Sequence, residues 1–441
     1  MKCRKIVNIL IVMLVPGLFP ALGQDNFSLQ ELIRMTLLEN YQLQIVQKDQ
    51  QMAENLNTIG NAGFLPEAGI AAERSWEIMT SESHLYTGAT RSGTNAQSTR
   101  FNALMEIGWT IFDGFAMFAH RDRLDHLAKM GELETRFFLE QTIADLAKTY
   151  YSLIREQRLL ELHRQSFEVS SFRYELEERK RRVGSGNALL YHQAVLDLNA
   201  DSARVIDQVM NIRDQQIQIN RTINRNPDLP LNPENSNINL QGIPLPEEII
   251  EMAISNNRDL ERAKLEEMIA DANFRIEKSE RYPQVNLFGA YSFSHQTSQL
   301  GIIESAQNRG SYFGVRVRLK LFDGGKLNTR IENAMLEQEQ AAIHEKDIRA
   351  MIESDLLRLT GRYHSFLQQH QLLQHSMEAA NRSLIIAREQ LQNGAINGYE
   401  FRQTQLTVLQ MENQMIELMY AMRIIEIDIY RISGILLERV Y

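Results

Sequence analysis

The chain has 441 residues, of which 44% are hydrophobic and 23% charged, so it has enough apolar material for a packed core. Its 56 Asp and Glu residues outnumber its 47 Lys and Arg residues, and the net charge of −9 argues against a nucleic-acid-binding surface. The single cysteine, Cys3, excludes a disulfide framework, a cysteine-based zinc site and an iron–sulfur cluster.

Residues 1–23 have the features of a secretory signal peptide. Basic residues precede an apolar run from Ile6 to Leu18, and Ala21-Leu22-Gly23 fits a small-x-small cleavage site. The run is too short to span a bilayer, and no later stretch reaches about 18 consecutive apolar residues. Cys3 precedes this run, which argues against a lipoprotein anchor. We therefore expect an exported mature chain without cysteine.

The mature chain contains one unit twice. Phe64-Leu65-Pro66 returns as Arg281-Tyr282-Pro283, a shift of 217 residues, and Ile111-Phe112-Asp113-Gly114 returns as Leu321-Phe322-Asp323-Gly324, a shift of 210. The seven-residue difference is expected to fall in the polar stretch 80–99 or its partner at 296–310. The predicted organisation is a first repeat at 24–226, a linker at 227–245 with several prolines, and a second repeat at 246–441.

Each repeat is predicted to contain a very long helix. Apolar residues from Leu359 to Leu391 alternate steps of four and three, which is coiled-coil spacing. Without an interrupting proline, the segments ending at Arg182 and Gln392 can each form one helix of about 67 residues, roughly 100 Å long. A glycine turn and a returning helix of roughly 38 residues follow each one. Residues 29–62 are predicted to form a further helix of about 34 residues.

Four short segments alternate apolar and polar residues with period two, clearest at 101–111 and 313–321. One face of the predicted sheet is apolar and aromatic, and the other carries charges of both signs. Strands of about ten residues with this pattern are typical of a lipid-facing barrel. Four strands cannot close a barrel, because about eight are needed, so we expect the chain to oligomerise.

This duplicated order of helix, strand pair ending in Phe-Asp-Gly, long helix, glycine turn and returning helix resembles the TolC-type outer-membrane efflux proteins over residues 26–439. The resemblance implies a mainly α fold with a small transmembrane β part, a duplicated long helical hairpin and four strands per chain. It implies a trimer whose 12-stranded barrel is continued by a periplasmic α-helical tunnel, in the outer membrane of a Gram-negative bacterium.

The implied function is the passive exit duct of a tripartite efflux pump or a type I secretion system, for small molecules or polypeptides. The implied partners are two further copies of the chain, a periplasmic adaptor (membrane fusion) protein, an inner-membrane pump of the RND or ABC type, and outer-membrane lipid, with no nucleic acid. The alternative is a periplasmic coiled-coil scaffold without channel activity. A scaffold explains the heptads and the signal peptide, but not two strand pairs with uncovered apolar faces.

The resemblance also places candidate functional residues. The predicted periplasmic tips, which meet the adaptor in the family, contain Val183, Gly184, Gly186, Asn187, Asn393, Gly394 and Asn397. Each glycine can alternatively serve only to end a helix. Glu400 and Gln403 occupy the position where relatives often carry pore-constricting aspartates. Because Glu400 stands three residues after Asn397, it can instead close a capping box.

Strand parity predicts the residues that line the barrel lumen, and the resemblance implies the residues at the strand–helix junctions. The lumen residues are Glu67, Glu73, Glu77, Glu106, Arg316, Arg318 and Lys320. The junction residues are Pro66, Asp113, Gly114, Pro283, Asp323 and Gly324. Asp can cap a helix there and Gly can permit the turn, which is a structural role.

The sequence does not favour an enzyme. The ten His residues form no His-Glu-x-x-His pair, and Gly324-Gly325-Lys326-Leu327 lacks the upstream Gly and the following Ser or Thr of a phosphate loop. We find no catalytic constellation and expect neither a cofactor nor a metal.

Overall fold

The computed structural model describes residues 26–84, 86–300 and 303–440, so the predicted signal peptide lies outside the described residues. The first repeat contains β1 (Asn26–Phe27), α1 (Leu29–Glu39), α2 (Tyr41–Leu56), β2 (Glu67–His84), β3 (Thr90–Phe112), α3 (Ala116–Arg182) and α4 (Ala188–Thr222). The second part contains β4 (Asn232–Pro233), α5 (Pro246–Asn256), α6 (Arg258–Ser279), β5 (Gln284–Ser298), β6 (Ser305–Arg318), α7 (Lys326–Gln392), α8 (Gly398–Ile432) and α9 (Leu436–Val440).

The two long helices have the predicted length. Helices α3 and α7 contain 67 residues each, and the returning helices α4 and α8 contain 35 each. Both long helices end just before a glycine with positive φ, +75° at Gly184 and +71° at Gly394. Glycine reaches this left-handed conformation without steric cost, so it ends the helix and turns the chain.

The predicted single helix at residues 29–62 is wrong, because the chain leaves the helical conformation at Asn40 and α2 ends at Leu56. The same break separates α5 from α6 at Asn257. The Nδ2 atom of Asn40 donates to the carbonyl oxygen of Thr222 at 2.8 Å, and that of Asn257 donates to the carbonyl oxygen of Ile432 at 2.8 Å. Each asparagine thus exchanges a helical position for a hydrogen bond to the returning helix of its own repeat.

Strands β2, β3, β5 and β6 form one antiparallel sheet in that order. The strands are longer than predicted, because the polar stretch at 80–99 is mostly strand and only residues 85–89 separate β2 from β3. In a ladder the backbone groups satisfy each other whatever the side-chain polarity, so Ser- and Thr-rich segments can continue a strand. The sheet leaves β2 and β6 as its two edge strands.

The described chain divides into two compact units. The first contains the described residues up to Asn40 together with Asp145–Leu240 and Phe366–Ile424, and buries Leu153, Ile154, Ala194, Ile219 and Leu231. The second contains Tyr41–Ala144, Gln241–Ser365 and the described residues from Ile425 onward, and buries Ile143, Ile249, Leu260, Leu356 and Tyr430. Among the described residues, no helix combines the length and the apolar character that crossing a bilayer requires.

Candidate functional site

The sheet carries most of its charges on one face. Residues directly opposite in an antiparallel ladder point to the same side, and successive residues alternate sides. Glu73 pairs with Asn102, Glu106 pairs with Ala290, and Arg316 pairs with Asn286. Followed across all four strands, the register places six of the seven predicted lumen residues on this side, which we call the charged face: Glu67, Glu73, Glu77, Glu106, Arg316 and Arg318.

The opposite side, which we call the apolar face, is uncovered. Many of its large side chains are exposed, from 44% at Trp109 to 90% at Phe313, among them Ile70, Trp76, Ile78, Met105, Ile107, Tyr291, Val315 and Val317. Monomeric soluble proteins rarely expose so large a contiguous apolar surface, so this face requires a cover. Two cations depart from the pattern: Arg74 and Arg309 lie on the same side, and the Arg74 guanidinium is 5.1 Å from the Trp76 ring centroid.

Lys320 lies outside the sheet, because β6 ends at Arg318. Its Nζ atom is 3.5 Å from Oε2 of Glu280, at the end of α6. A hydrogen bond from Arg330 to Glu280 is the main cause that lowers the pKa of this carboxyl, and Lys320 lowers it further. Lys320 therefore belongs to a charge cluster at the strand–helix junction, and its position in a lumen stays a prediction.

The two strand–helix junctions share a backbone conformation. Gly114 has φ +72° and Gly324 has φ +75°. A Cβ atom at Gly114 would clash with the carbonyl oxygen of Ser279, so only glycine fits there. Asp323 Oδ2 accepts a hydrogen bond from the Leu327 N–H at 3.0 Å and so caps α7. At the first junction the buried Oδ1 atom of Asp113 has no hydrogen-bond partner among the described residues. Pro66 and Pro283 directly precede β2 and β5.

The turn after the first long helix, at the first predicted tip, is tight. A Cβ atom at Gly186 would lie 2.7 Å from the Arg181 Cα, so the first turn has no room for a side chain there. Asn187 Oδ1 accepts a hydrogen bond from the Leu189 N–H at 2.8 Å and caps α4. Val183 is 77% exposed beside this turn. The first turn therefore presents an exposed apolar side chain next to a constrained backbone.

Asn397 and Glu400 form a capping box at the start of α8. The Oδ1 atom of Asn397 accepts from the N–H groups of Tyr399 at 2.9 Å and Glu400 at 3.0 Å, and the Asn397 N–H donates to Glu400 Oε2 at 3.0 Å. The Glu400 and Gln403 side chains are both exposed. Glu400 thus has the capping role, and a constricting role for either residue stays a prediction.

Sequence reasoning missed a buried ion pair in the first compact unit. Asp201 on α4 is 1% exposed and Arg402 on α8 is 5% exposed, and Arg402 Nη2 lies 2.8 Å from Asp201 Oδ2. The same oxygen accepts hydrogen bonds from the hydroxyls of Ser166 at 3.0 Å and Ser170 at 2.8 Å, both on α3. This network joins three helices. No local pattern marks it, because Asp201 and Arg402 are 201 residues apart in the chain.

A second buried carboxylate anchors the inter-repeat linker in the second compact unit. Glu426 on α8 is fully buried and accepts hydrogen bonds from the Tyr363 hydroxyl at 2.8 Å, the Gln241 N–H at 3.1 Å and the Gly242 N–H at 2.8 Å. The Tyr430 hydroxyl donates to the Gly242 carbonyl. The end of the linker is therefore held by specific polar contacts despite its irregular backbone.

A groove in the first compact unit is lined by thioether, aliphatic and carboxylate side chains, among them Glu161, Met377, Glu412, Met415 and Met419. Burial is the main cause that raises the pKa of Glu412, and the nearby charge of Glu161 raises it further. Within the ranges that the structure describes, no three His, Cys, Asp or Glu side chains are grouped in a way that could hold a metal ion.

Comparison with known proteins agrees with this geometry. The model of the outer membrane efflux protein family matches residues 32–225 and 249–435. The cation efflux system protein CusC of Escherichia coli K12 is 20% identical over 413 residues, which are 93% of this chain and 87% of that protein. The solved structure of CusC superposes with a TM-score of 0.75 at 17% identity, over 93% of this chain and 92% of that one.

Two further solved structures have the same fold. The CmeC outer membrane channel of Campylobacter jejuni has a TM-score of 0.78 at 14% identity, over 92% of this chain and 86% of that one. The outer membrane protein VceC of Vibrio cholerae has a TM-score of 0.75 at 16% identity, over 92% and 96%. The mainly helical fold class with a small β part is thus confirmed, as is the resemblance that the duplicated motifs indicate. The chain belongs to the outer membrane efflux protein family and is a protein of the Gram-negative outer membrane with a periplasmic extension.

Proposed function

We propose that three copies of this chain form the exit duct of a tripartite efflux pump or a type I secretion system. The open sheet carries this proposal, because it has two edge strands, an uncovered apolar face and an opposite charged face. Three such sheets supply 12 strands, enough to enclose a channel. The apolar face then contacts lipid and the charged face lines the lumen, where a charge costs little. Against lipid at the midplane, a charge costs roughly 2 to 4 kcal/mol.

The tips at Val183–Asn187 and Asn393–Asn397 are the docking points for a periplasmic adaptor, and an RND- or ABC-type inner-membrane pump supplies the energy. The exposed, constrained turn at Gly184–Gly186 supports the tip assignment. Glu400 and Gln403 are the candidate constriction, since both are exposed and the cap occupies only one oxygen of Glu400. The relatives include a cation efflux protein, so metal cations are the first cargo to test.

The repeats at 24–226 and 246–441, with the linker at 227–245, are the proposed evolutionary units of the duct. The matching helices support them, since α3 and α7 have equal lengths, as do α4 and α8. The family consists of efflux proteins, so the tip, lumen and constriction residues act by position, charge and packing.

Membrane fractionation followed by planar-bilayer recording tests the duct against the scaffold. An outer-membrane duct is recovered in the outer-membrane fraction, migrates on gels in a heat-modifiable way, and gives discrete conductance steps after purification. A periplasmic scaffold is recovered in the soluble fraction and gives no conductance, and that result would overturn the proposal.

A further inference from the structure

The two strand hairpins, β2–β3 and β5–β6, pair in the same register at equivalent positions of the repeat. The shift of 217 relates β2 to β5 and the shift of 210 relates β3 to β6. Under these shifts the observed pair Glu67 and Gly108 becomes Gln284 and Arg318, which is also an observed pair. At the other end, Trp76 and Thr99 become Phe293 and Arg309, again as observed. The two hairpins therefore share strand register as well as strand order.

One joint between the hairpins lies within the chain. It pairs β3 of the first hairpin with β5 of the second. The equivalent joint on the other side would pair β6 with a copy of β2, and both of these are edge strands. Each neighbouring pair in the sheet is antiparallel, so β2 of a following copy would continue the alternation against β6. A second copy of the chain therefore fits this edge without any change of sheet geometry.

We propose that β6 pairs with β2 of the next copy in the register that β3 and β5 display, so that Arg316 lies directly opposite the partner subunit's Glu73. The assignment follows from one observed pair, Glu106 opposite Ala290. Adding 210 to Glu106 gives its repeat equivalent in β6, Arg316, and subtracting 217 from Ala290 gives its equivalent in β2, Glu73. The inference rests on the proposed trimer and specifies the contact that closes it.

Side-chain chemistry on the charged face fits this register. Arg316 and Glu73 both lie on that face and are exposed in the isolated chain. Directly opposite residues have Cβ atoms about 4.5 to 5.5 Å apart, close enough for an ion pair. Within its own chain, the Arg316 guanidinium lies 4.9 Å from the Phe288 ring centroid. Because the register repeats at each of the three contacts between subunits, a trimer would have three identical ion pairs around its lumen.

The apolar face gives an independent fit. The same shifts, applied to the observed pair of Ala103 and Phe293, place Phe313 opposite the partner subunit's Trp76. These two rings are 90% and 68% exposed in the isolated chain. Cross-strand aromatic pairs contribute roughly 0.2 to 1 kcal/mol relative to alanine, in addition to the area they bury. The same register thus joins opposite charges on one face and aromatic rings on the other.

Other registers lose one or both contacts. A shift of one residue exchanges the faces and turns Arg316 toward lipid. A shift of two places Arg316 opposite the partner's Ala71 or the partner's Ser75. A shift of four restores a carboxylate, the partner's Glu77, but places Phe313 opposite the partner's Thr80. Thr80 lies at the irregularity between Met79 and Ser81, where the ladder of β2 is interrupted. The proposed register alone among these keeps both contacts in regular strand.

Disulfide trapping tests the register in outer-membrane vesicles. The only native cysteine, Cys3, lies in the predicted signal peptide, so introduced cysteines are expected to be the only ones in the mature chain. The test variant combines Glu73→Cys with Arg316→Cys. The matched control combines Glu77→Cys with Arg316→Cys, and Glu106→Cys with Ala290→Cys is a reference for the equivalent joint within one chain.

After oxidation, the test variant should give covalent dimers and trimers on non-reducing gels. The control should give at least about tenfold less, because four residues displace its Cα by roughly 14 Å, beyond disulfide reach. The reference variant should form a disulfide without any increase in mass. Efficient cross-linking of the control in place of the test variant would overturn the register.

Native mass spectrometry of the extracted protein distinguishes a wrong register from the absence of a trimer. If neither pair cross-links while the extracted protein retains three chains, the register is wrong and the trimer stands. If the extracted protein is a single chain, both are wrong. Charge reversal provides a test without cysteine: Glu73→Arg and Arg316→Glu should each lower the temperature at which the trimer dissociates in SDS, and the double variant should recover it. A double variant as weak as the single variants would overturn the contact.

Discussion

The buried network around Asp201 should dominate the stability of the first compact unit. Replacing Asp201 with Leu removes the acceptor of hydrogen bonds from Ser166, Ser170 and Arg402. It leaves the Arg402 guanidinium, 5% exposed, without its carboxylate. The Nε and Nη1 atoms of Arg402 have no hydrogen-bond partner in the part of the chain that the structure describes. The variant therefore leaves a buried positive charge uncompensated.

Breaking a buried ion pair by removing one partner costs about 3 to 5 kcal/mol, whereas replacing both partners with apolar residues is often neutral. We expect Asp201→Leu to lower the free energy of unfolding by that amount. Arg402→Met should cost less, because Asp201 keeps its ion pair with Arg204 at 2.7 Å. The double variant should lose less than Asp201→Leu. Glu132→Leu is the control, because the pair of Glu132 with Arg136 is exposed, with 50% and 59% of the side-chain areas accessible. Its expected cost is about 0 to 1 kcal/mol.

Denaturant unfolding in detergent, followed by far-UV circular dichroism, measures these differences. The protein concentration must be held constant, because the stability of an oligomer depends on it. A loss below about 1 kcal/mol for Asp201→Leu would refute the reasoning, since a surface pair would account for it. Strict additivity in the double variant would refute it as well, because residues of one network are expected to be coupled.

Three further variant sets test separate parts of the structure. Val317→Arg should impair assembly, since it places a charge on the apolar face, whereas Arg318→Val should assemble and alter ion selectivity in a planar bilayer; the reverse pattern would show that the strand is assigned inside out. Gly184→Trp and Gly394→Trp should reduce export from cells while leaving trimer content and membrane location intact, and unchanged export in both would remove the docking role. Because burial raises the pKa of Glu412 above its usual value of 4.5, ionisation costs stability as the pH rises through the raised pKa. Glu412→Gln should abolish this loss in denaturant unfolding at a series of pH values, and an unchanged pH profile would contradict the cause assigned to the shift.

Periodicity and turn residues were sufficient to predict the long helices. The second one runs from Lys326 to Gln392, as the heptads and the absence of proline indicate. The helix ends are equally local, because Gly184 and Gly394 supply the positive φ that ends each helix. The polarity of the sheet faces also follows from the sequence, since period-two alternation fixes it once the strands pair.

Features that depend on distant partners could not be predicted. Asn40 breaks a helix because its side chain reaches a carbonyl 182 residues away, and asparagine within a helix is by itself only a weak signal. The Asp201–Arg402 pair likewise joins helices from different repeats. The strand lengths were underestimated, because backbone pairing extended β2 and β3 through residues whose side chains predict a loop.

Native mass spectrometry of the detergent-extracted, full-length mature protein tests the central claim most directly. The open sheet, its exposed apolar face and the edge strands β2 and β6 require further copies of the chain, and the proposed 12-stranded barrel requires three chains in all. A protein that remains a single chain in mild detergent, while retaining its strands, would contradict the proposal that this chain forms a duct with two further copies of itself.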